Sequence, residues 1–128
     1  MQEKRKPPSG WQRRKLRMEQ GLPAVTGAEV ASRRARSARN AAERAAANLA
    51  FLNELKLEAG CADCGYRGHP AALDFDHLPG SSKIRGLARM LLVSRATLLA
   101  EIAKCEIVCA NCHRIRTWNR RRESQQAA

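Results

Sequence analysis

Aromatic residues are scarce in this chain, 4% of 128 positions, shared among two Trp, one Tyr and two Phe. Alanine supplies much of the 44% hydrophobic content. Bulky apolar material for a core is therefore thin, and a domain of this size needs a staple such as a metal. No apolar run approaches the roughly 20 residues that a membrane-spanning helix requires. The early basic residues Lys4, Arg5 and Lys6 are not followed by an apolar signal segment, so secretion is not expected, nor is a membrane partner. The expected location is the cytoplasm, associated with the nucleoid. Cysteine and histidine are missing from the first sixty positions, and all five Cys and three His come later. Cysteines without a secretion signal argue for thiols held by metal more than for disulfides. What abounds is positive charge: 24 Lys and Arg against 12 Asp and Glu, a net of +12 and a pI of about 10.6. That excess suggests an anionic polymer as partner, nucleic acid first.

The chain reads as four stretches. Residues 1–25, with Pro7, Pro8, Gly10, Gly21 and Pro23 and no steady apolar period, read as a basic, disordered arm. Residues 26–60 read as a long Ala- and Arg-rich helix, opened by a Thr26–Glu29 capping box and closed at Gly60. Its last part carries Leu49, Phe51, Leu52 and Leu55 as a packing face. Residues 61–122 form the compact part, and 123–128 a tail. Within the compact part, Leu73–Asp76 alternates like a short strand and Ile84–Val93 reads as a short helix weakened by Gly86. Ser94 caps a helix over about 95–104 that buries Leu98, Leu99, Ile102 and Ala103. Glu106–Cys109 reads as a second strand, and a closing helix runs from Ala110 to about Arg122.

Cys61-x-x-Cys64 and Cys109-x-x-Cys112 are the strongest local signal. Two residues between thiols let both sulfurs of a turn face one ion, and two such knuckles complete the tetrahedron of a structural zinc site. Zinc would supply folding energy that the thin core cannot. Cys105, four residues before Cys109, is expected to be a buried, inert thiol.

Asp76-His77 closes the first strand, and Cys112-His113 opens the last helix. Neighbours on a strand face opposite ways, so Asp76 and His77 can do different work. The expected arrangement is a divalent ion held by Asp76 and His113, with His77 alongside as a base. Asp74 shares the face of Asp76 and is a candidate auxiliary ligand, whereas His69 reads as a loop residue.

Taken together, Cys61-Ala-Asp-Cys-Gly65, Leu73-Asp-Phe-Asp-His-Leu-Pro-Gly80 with Lys83 and Ile84, and Glu101-Ile-Ala-Lys-Cys-Glu-Ile-Val-Cys-Ala-Asn-Cys-His-Arg114 resemble the HNH endonucleases. The likeness is to the zinc-stapled phage and bacterial kind, with an Asp-His element similar to that of recombination endonuclease VII, and it covers about residues 40–118. It implies a small α+β fold, a ββα-metal finger stapled by a four-Cys zinc site and preceded by a long helix. It implies DNA phosphodiester hydrolysis leaving 5′-phosphate and 3′-hydroxyl ends. His77 would be general base, and Asp76 and His113 would be ligands of Mg²⁺ or Mn²⁺. Many relatives carry another His four residues after the helical one; here that position is Thr117, which leaves two protein ligands and suits a hydrated Mg²⁺. The middle residue of the motif has no obvious counterpart, since Asn111 lies inside the second knuckle.

Lys83 and Arg85, beside the Asp-His element, and Arg114, Arg116 and Arg120, which follow His113, are the expected phosphate contacts. Such contacts give salt-sensitive affinity and little sequence information. DNA is the expected partner, with other phage or host DNA-processing proteins implied by the resemblance alone. The rival readings are a non-catalytic zinc-finger DNA-binding module and an RNA-binding zinc protein.

Overall fold

A computed structural model describes residues 8–127. They form a small α+β arrangement: four α-helices and one two-stranded antiparallel sheet among the described residues. The chain divides into two compact units, with the boundary after Arg39.

In the first unit, helix α1 spans Gly10–Glu19, in a stretch expected to be disordered. Its cause is a capping box: the Ser9 hydroxyl accepts from the Gln12 backbone N–H at 3.3 Å, and the Gln12 side chain accepts from Ser9 N–H at 2.7 Å. No α1 residue is buried. Residues 1–7, the start of the basic arm, lie outside the described residues. Helix α2 spans Gly27–Ala59. Glu29 accepts from the Thr26 N–H at 2.7 Å and Thr26 Oγ1 accepts from the Glu29 N–H at 3.2 Å, which is the expected capping box. At the other end Gly60 takes φ 71°, a left-handed stop that a side chain would resist.

The second unit begins inside α2. Here Leu52 is buried and Phe51 and Leu55 are half-buried, but Leu49 is 48% exposed. Its place is taken by Asn48, 3% exposed, whose amide donates to the carbonyls of Leu91 (2.8 Å) and Val93 (3.1 Å). Those carbonyls are committed to Asn48 instead of to a helix ladder. Over Ile84–Val93, where a short helix was expected, only a single 3-10 turn forms, Leu87–Arg89.

Strand β1, Leu73–His77, pairs antiparallel with β2, Cys105–Cys109, in the register Leu73 to Cys109 and His77 to Cys105. Helix α3, Arg95–Ile102, lies between them in sequence and is capped by Ser94, whose Oγ accepts from the Thr97 N–H. Leu98 and Glu101 are its fully buried residues, whereas Leu99 is 47% exposed. Helix α4, Ala110–Gln126, follows β2 with no intervening loop. Strand alternation gives the ribbon two faces. Leu73, Phe75, His77, Cys105, Ile107 and Cys109 share one; Asp74, Asp76, Glu106 and Val108 share the other.

Two small cores result. Leu52, Leu87, Met90 and Leu98 form one, with Phe51, Phe75 and Ile102 packed against it. Cys61, Leu73, Val108 and Cys109 form the other. The second core is built around the thiols themselves.

Candidate metal centre and carboxylate–imidazole site

The ligand atoms of Cys61, Cys64, Cys109 and Cys112 all lie within 4.8 Å of one another. Backbone N–H groups set this up: Gly65 N–H donates to Cys61 O, Ala62 N–H to Ile107 O, and Cys112 N–H to the Cys109 side-chain Sγ at 3.4 Å. The first knuckle is thereby tied to β2, and the second knuckle caps α4. Four sulfurs at about 2.3 Å from one tetrahedral ion stand roughly 3.8 Å apart, and Cys64 Sγ lies 3.7 Å from Cys109 Sγ.

The acid–base chemistry of the set agrees. Burial opposes ionisation of Cys61, yet backbone N–H groups of Cys109, Cys64 and Asp63 pull its thiol down to about 6. Cys112 is pushed up, first by sharing a proton with Cys109 and then by burial. Crowded thiols cannot all ionise without a cation among them, so the cluster fits a structural zinc site. Cys105 stands outside it; burial and the nearby Glu101 carboxylate raise its thiol to about 11.

The second cluster lies on the Asp74–Asp76 face of the ribbon, under α4. His113 Nδ1 is 3.1 Å from Asp74 Oδ2, and His113 Nε2 is 3.6 Å from Asp76 Oδ1. The Asp74 bond fixes the ring and leaves Nε2 toward Asp76. Asp76 and His113, expected to meet, thus do meet, and Asp74 joins them.

Asp76 is 4% exposed and not short of partners. Arg120 donates to both its oxygens at 2.8 and 2.7 Å, and Arg116 to Oδ2 at 3.2 Å. Burial opposes the charge on Asp76, but the two guanidinium groups outweigh it and hold the carboxyl below its ordinary range. Arg116 also bonds Glu106 at 2.8 Å and Asp63 at 2.6 Å. It thereby neutralises the like charges of Asp76 and Glu106, which face each other across the strands. Arg116 and Arg120, expected to meet phosphate, are engaged inside the fold. Replacing Arg116 by Met is expected to cost about 3 kcal/mol, the low end for a broken buried pair because Arg120 remains. Urea unfolding of the metal-loaded protein measures it, and an unchanged midpoint contradicts it.

His77, expected alongside the Asp76–His113 pair, turns instead to the other face of the ribbon, because neighbours on a strand point opposite ways. Its Nε2–H donates to Glu101 Oε1 at 2.7 Å. Glu101, with no exposed surface, also accepts from Lys104 Nζ at 2.8 Å and from the Ile84 N–H at 3.1 Å. Its carboxyl is lowered to about 2, first by Lys104, against burial, and then by His77 and Ile84. Sequence reasoning left the partner of His77 unnamed. The available signal was an acidic residue three positions after Leu98, on the inward face of α3. The Glu101 bond to Ile84 also pins the loop that carries Lys83 and Arg85, both exposed.

A lowered carboxyl stabilises the fold above its ordinary value of 4.5, and that contribution is lost as pH falls toward about 2. The stability gap between wild type and Glu101→Gln is therefore expected to narrow over this interval in urea unfolding. Acid also strips zinc from the thiols, so the two proteins are compared only at pH values where both retain their zinc, and the gap should already narrow as pH falls toward 4.5. A gap independent of pH contradicts the assignment.

The remaining candidates have structural duties. His69 Nδ1 accepts from the Ala71 N–H at 3.1 Å, capping a short turn, and Thr117 Oγ1 donates to the His113 carbonyl at 2.9 Å. Asn111 is exposed on the outer side of α4. No helix among the described residues is long and apolar enough to cross a membrane. Comparison with protein-family models, curated proteins and solved structures finds no match.

Proposed function

We propose that this chain is a metal-dependent endonuclease of the HNH kind, a zinc-stapled ββα-metal finger that hydrolyses DNA phosphodiester bonds. The observation that carries the reading is the approach of Asp76 and His113 to 3.6 Å beside a four-thiol clamp. Plain zinc binding needs neither residue.

Asp76 and His113, with Asp74 orienting the ring, are the groups that would hold Mg²⁺ or Mn²⁺. When bound, such an ion supplies positive charge against the scissile phosphate and the departing oxygen. The work of the chain is proton transfer and positioning. His77 Nδ1 takes a proton from water while Glu101 keeps Nε2–H in place. The water oxygen bonds to phosphorus and the bond to the 3′-oxygen breaks. That oxygen takes a proton from solvent, leaving 5′-phosphate and 3′-hydroxyl ends. Lys83 and Arg85, next to the pinned Ile84, provide charge for the phosphates on either side.

One observation favours a second reading. Arg116 and Arg120 already neutralise Asp76, as they would in a purely structural ion network. A DNA-binding zinc module without cleavage would look the same there. Plasmid nicking by the zinc-loaded protein separates the two. Nicks that require added Mg²⁺ or Mn²⁺ and vanish in Asp76→Ala support the nuclease. Binding to plasmid without any nick, at every divalent concentration, establishes the module.

A further inference from the structure

Helix α4 has two unlike sides. His113, Arg116 and Arg120 face the ribbon and are used there. Asn111, Arg114, Ile115, Trp118, Arg121 and Arg122 recur at helical spacing on the opposite side. Trp118 is 63% exposed and Ile115 is 59% exposed, and with Asn111 and Arg114 they line a shallow groove. Among the described residues Arg114, Arg121 and Arg122 make no ion pair or side-chain hydrogen bond, and no acidic residue lies on this side. Only two Trp occur in the chain, and this one is held on a helix whose other side is pinned by ion pairs.

We propose that this outer side of α4 docks single-stranded DNA, with a base stacked on the Trp118 indole and phosphates on Arg114, Arg121 and Arg122. The proposal rests on the reading of DNA as substrate and adds its class: DNA with unpaired bases, as at gaps, flaps or branches. An indole flanked by guanidinium groups matches a strand that alternates flat bases with anionic links. Arg114 and Arg121 lie about 10 Å apart along the helix axis, with Trp118 between them. Duplex DNA offers its bases only at their edges, so it cannot cover the indole face in this way. A second copy of the chain is disfavoured, because a two-fold contact would set three unpaired arginines against three.

The test uses zinc-loaded protein with Trp11→Phe, so that Trp118 is the only indole, excited selectively over Tyr66, and no added Mg²⁺. A thymidine oligonucleotide, a duplex of the same length and poly-glutamate are titrated in turn, with anisotropy of the labelled DNA recorded in parallel. The oligonucleotide is expected to quench Trp118, whereas duplex and poly-glutamate leave it unchanged. Trp118→Ala should bind the oligonucleotide about tenfold more weakly, and Trp118→Phe should restore most of the loss. The exposure of Trp118 makes misfolding a poor explanation, and zinc content checks it. Oligonucleotide binding without quenching, equal quenching by the duplex or by poly-glutamate, or unchanged affinity in Trp118→Ala overturns the proposal while leaving the nuclease reading intact. Failure of all DNA to bind overturns both.

Discussion

Removing zinc is expected to unfold residues 40–128. Leu73 and Val108, two of the few side chains with no exposed surface, pack directly on Cys61 and Cys109, so the thiols are the centre of one of the two small cores among the described residues. Zinc bound to such a set contributes about 10–16 kcal/mol in small domains, as much as the whole net stability of an ordinary domain, about 5–15 kcal/mol. The protein as prepared should contain about one zinc per chain. A strong chelator should abolish its thermal transition, and Cys109→Ser should neither retain zinc nor show the transition. Cys105→Ser should keep both, since Cys105 lies outside the cluster. A transition that survives chelation unchanged would mean that the thiols are packing residues only.

The second large effect concerns the proposed chemistry. His77→Ala should lower plasmid nicking by about 10²- to 10⁴-fold, the usual contribution of a positioned base, with DNA affinity unchanged. Glu101→Gln should lower it by about 10- to 100-fold, as loss of an orienting carboxylate does. The order matters, because His77 would touch the attacking water and Glu101 acts only through His77. Single-turnover nicking rates measured beside anisotropy separate rate from binding. Equal residual activity in wild type and His77→Ala would remove His77 from the reaction.

Several of these features are legible in the residues. Thr26 and Glu29 mark the start of α2 and Gly60 its end, because capping and a left-handed stop are local chemistry. The two Cys-x-x-Cys pairs announce their meeting, because two-residue spacing on a turn leaves the sulfurs few other directions. Asp76 and His113 follow from that clamp. The misses are tertiary. Asn48 replaces Leu49 in the core because two loop carbonyls need its amide, and the same bonds help reduce Ile84–Val93 to a single turn. Glu101, beside Leu98 and Ile102 on α3, is buried because His77, Lys104 and Ile84 all donate to it, a cause that lies in the tertiary contacts. Arg116 and Arg120 look like phosphate contacts until the ribbon sets Asp76 opposite Glu106 and a counter-charge is required. The Ser9–Gln12 box, hidden between prolines and glycines, was the local signal for α1.

The central claim is that a thiol-bound ion sets one carboxylate and one imidazole around a second, exchangeable cation. Electron paramagnetic resonance of Mn²⁺ added to the zinc-loaded protein tests it most directly. One Mn²⁺ per chain is predicted to bind wild type, to be lost in Asp76→Ala and to be weakened in His113→Ala, with zinc retained in all three. Mn²⁺ that stays free in wild type, or binds all three proteins alike, would contradict the claim.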